Sequence, residues 1–260
     1  MIERNFVKER IQAGRPVMGT WNTLASGMVT EVLAHGGFDF LVIDFEHGPF
    51  DIGSVHDYVN RCERYSCSPL VRVPINAEWM ILQVLDQGAH GVVVPHVEDR
   101  KTAESVVAAT RYAPRGKRGF TPFSKAGGFT NLRAAQYIDR AQTFPLTAVI
   151  VESVRGIENL EHILEIDEVD VVYFGAYDIS RELESRDGVR DPRVRELIAG
   201  GAAIVKKAGR CAGGFVAESM DDIRWLLGIG VSFITYDVDS AILSRTVEGI
   251  VSQFRTETGT

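Results

Sequence analysis

Cysteine is scarce in this chain of 260 residues: Cys62, Cys67 and Cys211 form no CxxC pair and no zinc-ligand spacing. So sparse and odd a set excludes a disulfide scaffold and points to a reducing compartment, with the cytoplasm as the expected location. No apolar run approaches the ~18 residues that a membrane-spanning helix needs. The opening stretch MIERNFVKERIQAGRP alternates charged and apolar residues at helical spacing and lacks the apolar core of a signal peptide. A basic surplus is missing as well. The 28 Lys and Arg are outnumbered by 35 Asp and Glu, for a net charge of −7, which argues against nucleic acid as the main partner. No Gly-x-Gly-x-x-Gly follows the first apolar run, so an open dinucleotide-binding sheet has no signature here. No linker, low-complexity tract or composition break divides the chain, which predicts one domain over residues 1–260.

What is present is alternation. Short β-branched or apolar runs at 16–21, 38–44, 69–73, 91–95, 146–152, 169–175, 210–215 and 231–237 read as strands, several of them apolar throughout, as strands buried on both faces are. Between them helical periodicity predicts helices at 26–36, 54–66, 77–88, 98–111, 156–165, 191–208, 219–228 and 240–254. Eight strand–helix repeats of this length describe an α/β fold of the (β/α)8 TIM-barrel type. The stretch 113–144 is the longest irregular connection, rich in glycine and basic residues. The terminal segment 240–254 is amphipathic, suited to packing on its own barrel or on a partner subunit.

In such a barrel the chemistry gathers at the C-terminal ends of the strands. The polar residues expected there are Trp21, Asp44, Glu46, His47, Arg72, His96, Glu152, Asp178, Asp237 and Asp239. Glu152 and Asp178 end neighbouring strands. Their hard oxygen ligands, without cysteine or paired histidine, suit Mg2+, Mn2+ or Co2+; the alternative is that each carboxylate caps a helix or pairs with an arginine. His47, bracketed by Glu46 and Gly48-Pro49, fits a general base oriented by a nearby carboxylate, or a structural histidine; His96 is a second candidate. Arg72 interrupts an otherwise apolar strand. It either stabilises developing negative charge or pairs with Asp44 or Glu46.

The ordered runs FDFLVIDFEHGPFD, VRVP, LDQGAHGVVVPHVE, RYAPRGKRG and VESVRGIENLEHILEIDEVDVVYFGAYDIS together resemble the HpcH/HpaI aldolases, metal-dependent class II enzymes acting on 2-oxo acids. The resemblance covers nearly the whole chain. It implies a barrel of the phosphoenolpyruvate/pyruvate superfamily type, assembled as a homo-hexamer (a trimer of dimers) with the last helix commonly exchanged between subunits. It further implies that His47 is the acid/base residue, that Arg72 stabilises the transition state, and that Glu152 and Asp178 hold the divalent ion. Asp44 and Asp86 would tune the histidine and Trp21 would line the pocket. The backbone around Tyr177 and Asp178 would receive the pyruvate carboxylate. The implied reaction is reversible cleavage of a 4-hydroxy-2-oxo acid to pyruvate and an aldehyde.

Three places depart from the family pattern. Ile150 stands where glutamine is frequent, GAYDIS brings Ala176 and Tyr177 where proline and a small residue are usual, and FTPFSKAGGFTN replaces an arginine-containing loop. Two other readings follow from these departures. One is a synthase condensing a pyruvate or oxaloacetate enolate with another carbonyl compound. The other is an inactive barrel serving as a binding subunit.

Overall fold

The computed structural model describes residues 4–216 and 219–260, apart from the side chain of Arg133. Eight parallel strands, β1 (Val17–Asn22), β2 (Phe40–Asp44), β3 (Ser68–Arg72), β4 (Gly91–Val94), β5 (Leu146–Val151), β6 (Val171–Phe174), β7 (Cys211–Val216) and β8 (Val231–Val238), pair in chain order and close on themselves. The helices are α1 (Phe6–Gln12), α2 (Gly27–His35), α3 (Val55–Glu63), α4 (Glu78–Asp86), α5 (Arg100–Thr110), α6 (Ala134–Ala141), α7 (Val154–Glu158), α8 (Leu160–Ile163), α9 (Ala176–Glu182), α10 (Pro192–Lys207), α11 (Met220–Gly228) and α12 (Asp239–Thr258). All eight predicted strands are present, with ends shifted by a residue or two.

Three connections differ from expectation. The irregular stretch 113–144 contains α6. The predicted helix 156–165 is two short ones, α7 and α8. They meet at Asn159, whose side chain donates to the Glu98 carbonyl at 2.9 Å. Immediately after β6 the chain forms α9, about two turns of helix that the spacing did not announce.

A strand's side chains alternate between faces, and here the alternation separates two cores. Phe40, Val42, Leu70, Val93, Ala148, Ile150, Val171, Tyr173 and Phe233 fill the barrel interior. Their neighbours Ile43, Val71, Val92, Val149, Val151, Val172 and Phe174 pack outward against the helices. Interior packing needs small residues beside large ones: a Cβ at Gly19 would lie 2.5 Å from the Phe40 ring, which stacks on Phe233 at 4.1 Å between centroids.

The N-terminal end of the barrel is plugged. Asn5, before α1, donates to the carbonyls of His90 (2.6 Å) and Phe144 (2.7 Å), and Lys8 reaches Pro145 O and Asp170, both at 2.9 Å. The opposite end is open and holds the polar residues. Among the described residues no helix is long and apolar enough to cross a membrane.

Candidate active site

Parity places the site. Counting by two along each strand from the interior residues Val42, Leu70, Ile150 and Phe233 leads to Asp44, Arg72, Glu152 and, through Thr235, Asp237. At the last rung the hydrophobic filling gives way to charge. A cleft of about 650 Å³ opens there, lined by Trp21, Asp44, His47, Arg72, Ile150, Glu152, Tyr173, Tyr177, Asp178, Phe215 and Asp237 among others.

One wall is an acid–arginine cluster. The β2–β3 register sets Asp44 beside Arg72, and the guanidinium grips the carboxylate with two bonds, Nε to Oδ1 at 2.8 Å and Nη2 to Oδ2 at 2.5 Å. Its Nη1 lies 3.0 Å from Glu46 Oε2. A planar guanidinium can make such a fork where an ammonium cannot. Its carbon sits 4.3 Å from the centre of the Trp21 ring, a cation–π contact. Trp21 is fixed in turn, donating from Nε1 to Thr235 Oγ1 at 3.0 Å; the Tyr173 hydroxyl is 2.5 Å from the same oxygen. Burial pushes the Tyr173 phenol up to about 12, so it stays neutral.

Across the cleft stands Glu152. A Cβ on Gly175 would lie 2.4 Å from Glu152 Cβ and 3.1 Å from Oε2, so glycine there leaves the space the carboxylate occupies. Glu152 Oε1 accepts from the His96 amide at 2.7 Å, and His96 Nδ1 is also 2.7 Å away. Burial raises the Glu152 carboxyl above its ordinary value; His96 opposes this, while the charges of Asp178 and Glu46 add to it. Crowded carboxylates of this kind fit a divalent cation. Glu152 and the exposed Asp178 in the first turn of α9 both offer hard oxygen donors to the cleft.

Two non-glycine residues at the rim adopt left-handed backbone, His96 (φ 57°) after β4 and Asp237 (φ 51°) on β8. Such conformations cost on the order of 1–3 kcal/mol each and cluster at functional sites. At His96 the turn allows the amide and the ring to meet the same Glu152 oxygen.

Of the eight residues to which the resemblance gives roles, seven line the cleft: Trp21, Asp44, His47, Arg72, Glu152, Tyr177 and Asp178. His47 is exposed. Its amide donates to Asp44 Oδ1 at 3.3 Å, but the Asp44 carboxylate faces Arg72, so the orienting carboxylate expected at the ring is otherwise engaged. Arg72 pairs with Asp44 and Glu46, as one of its two readings had it, and also lines the cleft.

Asp86 is the residue that is not brought in. It ends α4, the helix that leads away from the β3 rim, and accepts from Arg118 Nη2 at 2.7 Å. Within the chain its partner is Arg118, and it does not line the cleft. Sequence reasoning passed over Thr235, Tyr173 and Phe215, although the two-residue period from Phe233 would have marked Thr235. Ile150 and Tyr177 add apolar surface, and the Tyr177 ring meets Phe215 edge-on at 5.4 Å.

Comparison with known proteins gives a concordant set of matches. The sequence model of the HpcH/HpaI aldolase/citrate lyase family matches residues 17–245. The chain is 33% identical over 254 residues to a hydroxypyruvate/pyruvate aldolase of Agrobacterium fabrum, covering 96% of this chain and 94% of that one. It is 32% identical over 255 residues to a 4-hydroxy-2-oxo-heptane-1,7-dioate aldolase of Salmonella dublin, covering 98% and 96%. A solved HpcH/HpaI aldolase/citrate lyase family protein from Burkholderia cenocepacia superposes with a TM-score of 0.90 at 30% identity, covering 97% of this chain and all of that one.

Proposed function

The chain belongs to the HpcH/HpaI aldolase/citrate lyase family, and from that premise we propose that it is a divalent-metal-dependent aldolase which reversibly cleaves a 4-hydroxy-2-oxo acid to pyruvate and an aldehyde. One observation carries the reading: a pair of carboxylates, Glu152 and Asp178, faces Arg72, Asp44 and His47 across a single cleft at the open end of the barrel.

Glu152 and Asp178 would hold the ion, Mg2+, Mn2+ or Co2+, which supplies Lewis-acid polarisation of the 2-oxo acid. The chain's own groups do the rest. His47 takes the proton of the 4-hydroxyl as the C3–C4 bond breaks, the released electron pair becoming the enolate of pyruvate; return of a proton to C3 completes pyruvate. Asp44 and Glu46 hold the Arg72 fork rigid over Trp21, so that its remaining N–H donors meet developing negative charge without reorganisation. Backbone amides at Tyr177 and Asp178 are offered for the pyruvate carboxylate. Asp86, whose partner within the chain is Arg118, would act as a tuning acid in the assembly.

The assembly we propose is a homo-hexamer, a trimer of dimers, with α12 docked on a neighbour. Leu243, Val247, Ile250, Val251 and Phe254 stand exposed along it, and among its residues only Asp239 is buried. Three unpaired cysteines fit a reducing, cytoplasmic setting.

The test follows the enolate without knowledge of the aldehyde. Incubated with pyruvate in D2O, the enzyme is expected to exchange the methyl protons with Mg2+, Mn2+ or Co2+ and to stop in EDTA, with Glu152→Gln inactive in both. Absence of exchange with all three metals would refute the proposal.

A further inference from the structure

We infer that the chain carries a structural site for a small monovalent anion of the chloride class, in a narrow pocket beneath α6 on the side of the barrel remote from the catalytic cleft. The pocket measures about 30 Å³ and is lined by Arg118 and Lys125 of the long β4–β5 connection and by Tyr137 and Arg140 of α6, with Leu85 and Phe144 among its apolar walls. A single water-sized species needs ~10–15 Å³, so the space admits one monatomic ion.

Two observations made on different residues agree on what is needed there. Arg118 is 4% exposed, and its Nε is a buried donor without a partner; Arg140 likewise has a buried Nη2 without one. Buried N–H groups of charged side chains are rarely left orphaned, because each lost bond costs the full desolvation of the donor. The charges also fail to cancel. Arg118 is matched by Asp86 at 2.7 Å and Lys125 by Glu63 at 2.8 Å. Arg140 has no ion pair among the described residues and meets only the Phe144 ring, 5.6 Å from its guanidinium carbon. One positive charge is left over.

A water could accept from these donors, but it would need acceptors for its own two protons. The charged side chains lining the pocket are all donors. A monovalent anion accepts from every side and supplies the missing charge. The pocket's excess positive field is felt nearby: after burial, Lys125 and Arg140 both lower the pKa of His90, against the opposing effect of Glu63. Seated there, the ion would tie α6 to the loop carrying Arg118 and Lys125, closing the longest connection of the fold over α4.

Bromide is the probe. Diffraction at the bromine edge from crystals of the full chain grown in sodium bromide should show an anomalous peak between Arg118 and Arg140. In solution, melting is followed in sodium chloride and in sodium gluconate, whose anion is too large to enter, at matched ionic strength. At ten times its Kd, chloride should raise Tm by about 3–6 °C, and Arg140→Met should abolish that difference between the salts. Water in the pocket with no bromide peak overturns the inference, as does a side chain of a second copy filling it. An equal response of wild type and Arg140→Met to chloride overturns it too. Should Arg140→Met fail to fold, the bromide map of the wild type decides alone.

Discussion

Gly175→Ala adds a single methyl group, and the structure sets what that methyl must displace. The backbone of Gly175 (φ −80°, ψ 78°) lies outside the left-handed region, so the substitution carries no such penalty and its effect is steric. The new Cβ would stand 2.4 Å from Glu152 Cβ and 3.3 Å from its Cα, whereas carbon atoms prefer about 3.5–4.0 Å, leaving a shortfall of about 1.1–1.6 Å. Because the clash involves the root of the side chain, rotation of the carboxylate cannot relieve it; Glu152 must shift bodily. Overpacking of this kind costs about 1–3 kcal/mol of stability. Displacement of a catalytic group by about 1 Å costs on the order of 10²-fold in turnover, and disturbed support of a metal ligand about 10–100-fold in metal affinity. The assay is pyruvate release measured across a Mn2+ titration, with calorimetric metal binding alongside. Gly200→Ala serves as the matched control. Nothing lies within 4 Å of its Cβ, in the middle of α10, so the same change there should stabilise by about 0.5–1 kcal/mol and leave activity alone. If Gly175→Ala lost stability yet bound metal and turned over like wild type, Glu152 would not be the ligand whose position matters.

Arg72→Lys should lower kcat by about 10²–10³-fold with a smaller change in KM, since an ammonium cannot bridge Asp44 and Glu46 and still present donors; turnover within about threefold of wild type would reduce Arg72 to a structural partner. His90 is buried, which lowers its pKa from the ordinary 6.5, so the folded chain resists its protonation and the stability it confers is present above pH 6.5 and lost as the pH falls below it. Urea unfolding at pH 7.5, 6.0 and 5.0 should therefore show a steeper fall for wild type than for His90→Gln, and parallel slopes would contradict the assignment. Truncation after Thr246 keeps the Arg245–Asp237 ion pair but removes Val247, Ile250, Val251 and Phe254; light scattering should show the assembly falling to a smaller species, and an unchanged mass would exclude α12 from the interface.

The strands were legible because burial on both faces leaves an uninterrupted apolar run, as in FLVID and VVYF, and such a run is a local property of the chain. The rim was legible for the same reason, since a charge that ends an apolar run, as at Asp44, Arg72 and Glu152, marks where the filling stops. Short helices were less so. α9 holds Asp178 and begins straight after β6, where a helix of seven residues leaves too little periodicity to register. α6 lay hidden in a connection whose glycines and prolines read as irregular.

Sequence alone determined the eight repeats, the barrel they imply and the identities of the charged residues at the strand ends, because each follows from period and order along the chain; the family came from the likeness of its ordered motifs. Partnership was decided only by tertiary structure. Which side chain meets which depends on barrel closure and strand register, and these set Asp44 beside Arg72, the His96 amide and Nδ1 on one Glu152 oxygen, and Thr235 beside Trp21. The same closure turned Asp86 toward Arg118 and left the half-buried Arg140 without a counter-charge among the described residues. Distances between elements far apart in the chain are not encoded in any local pattern, and the electrostatics of the site are made of those distances.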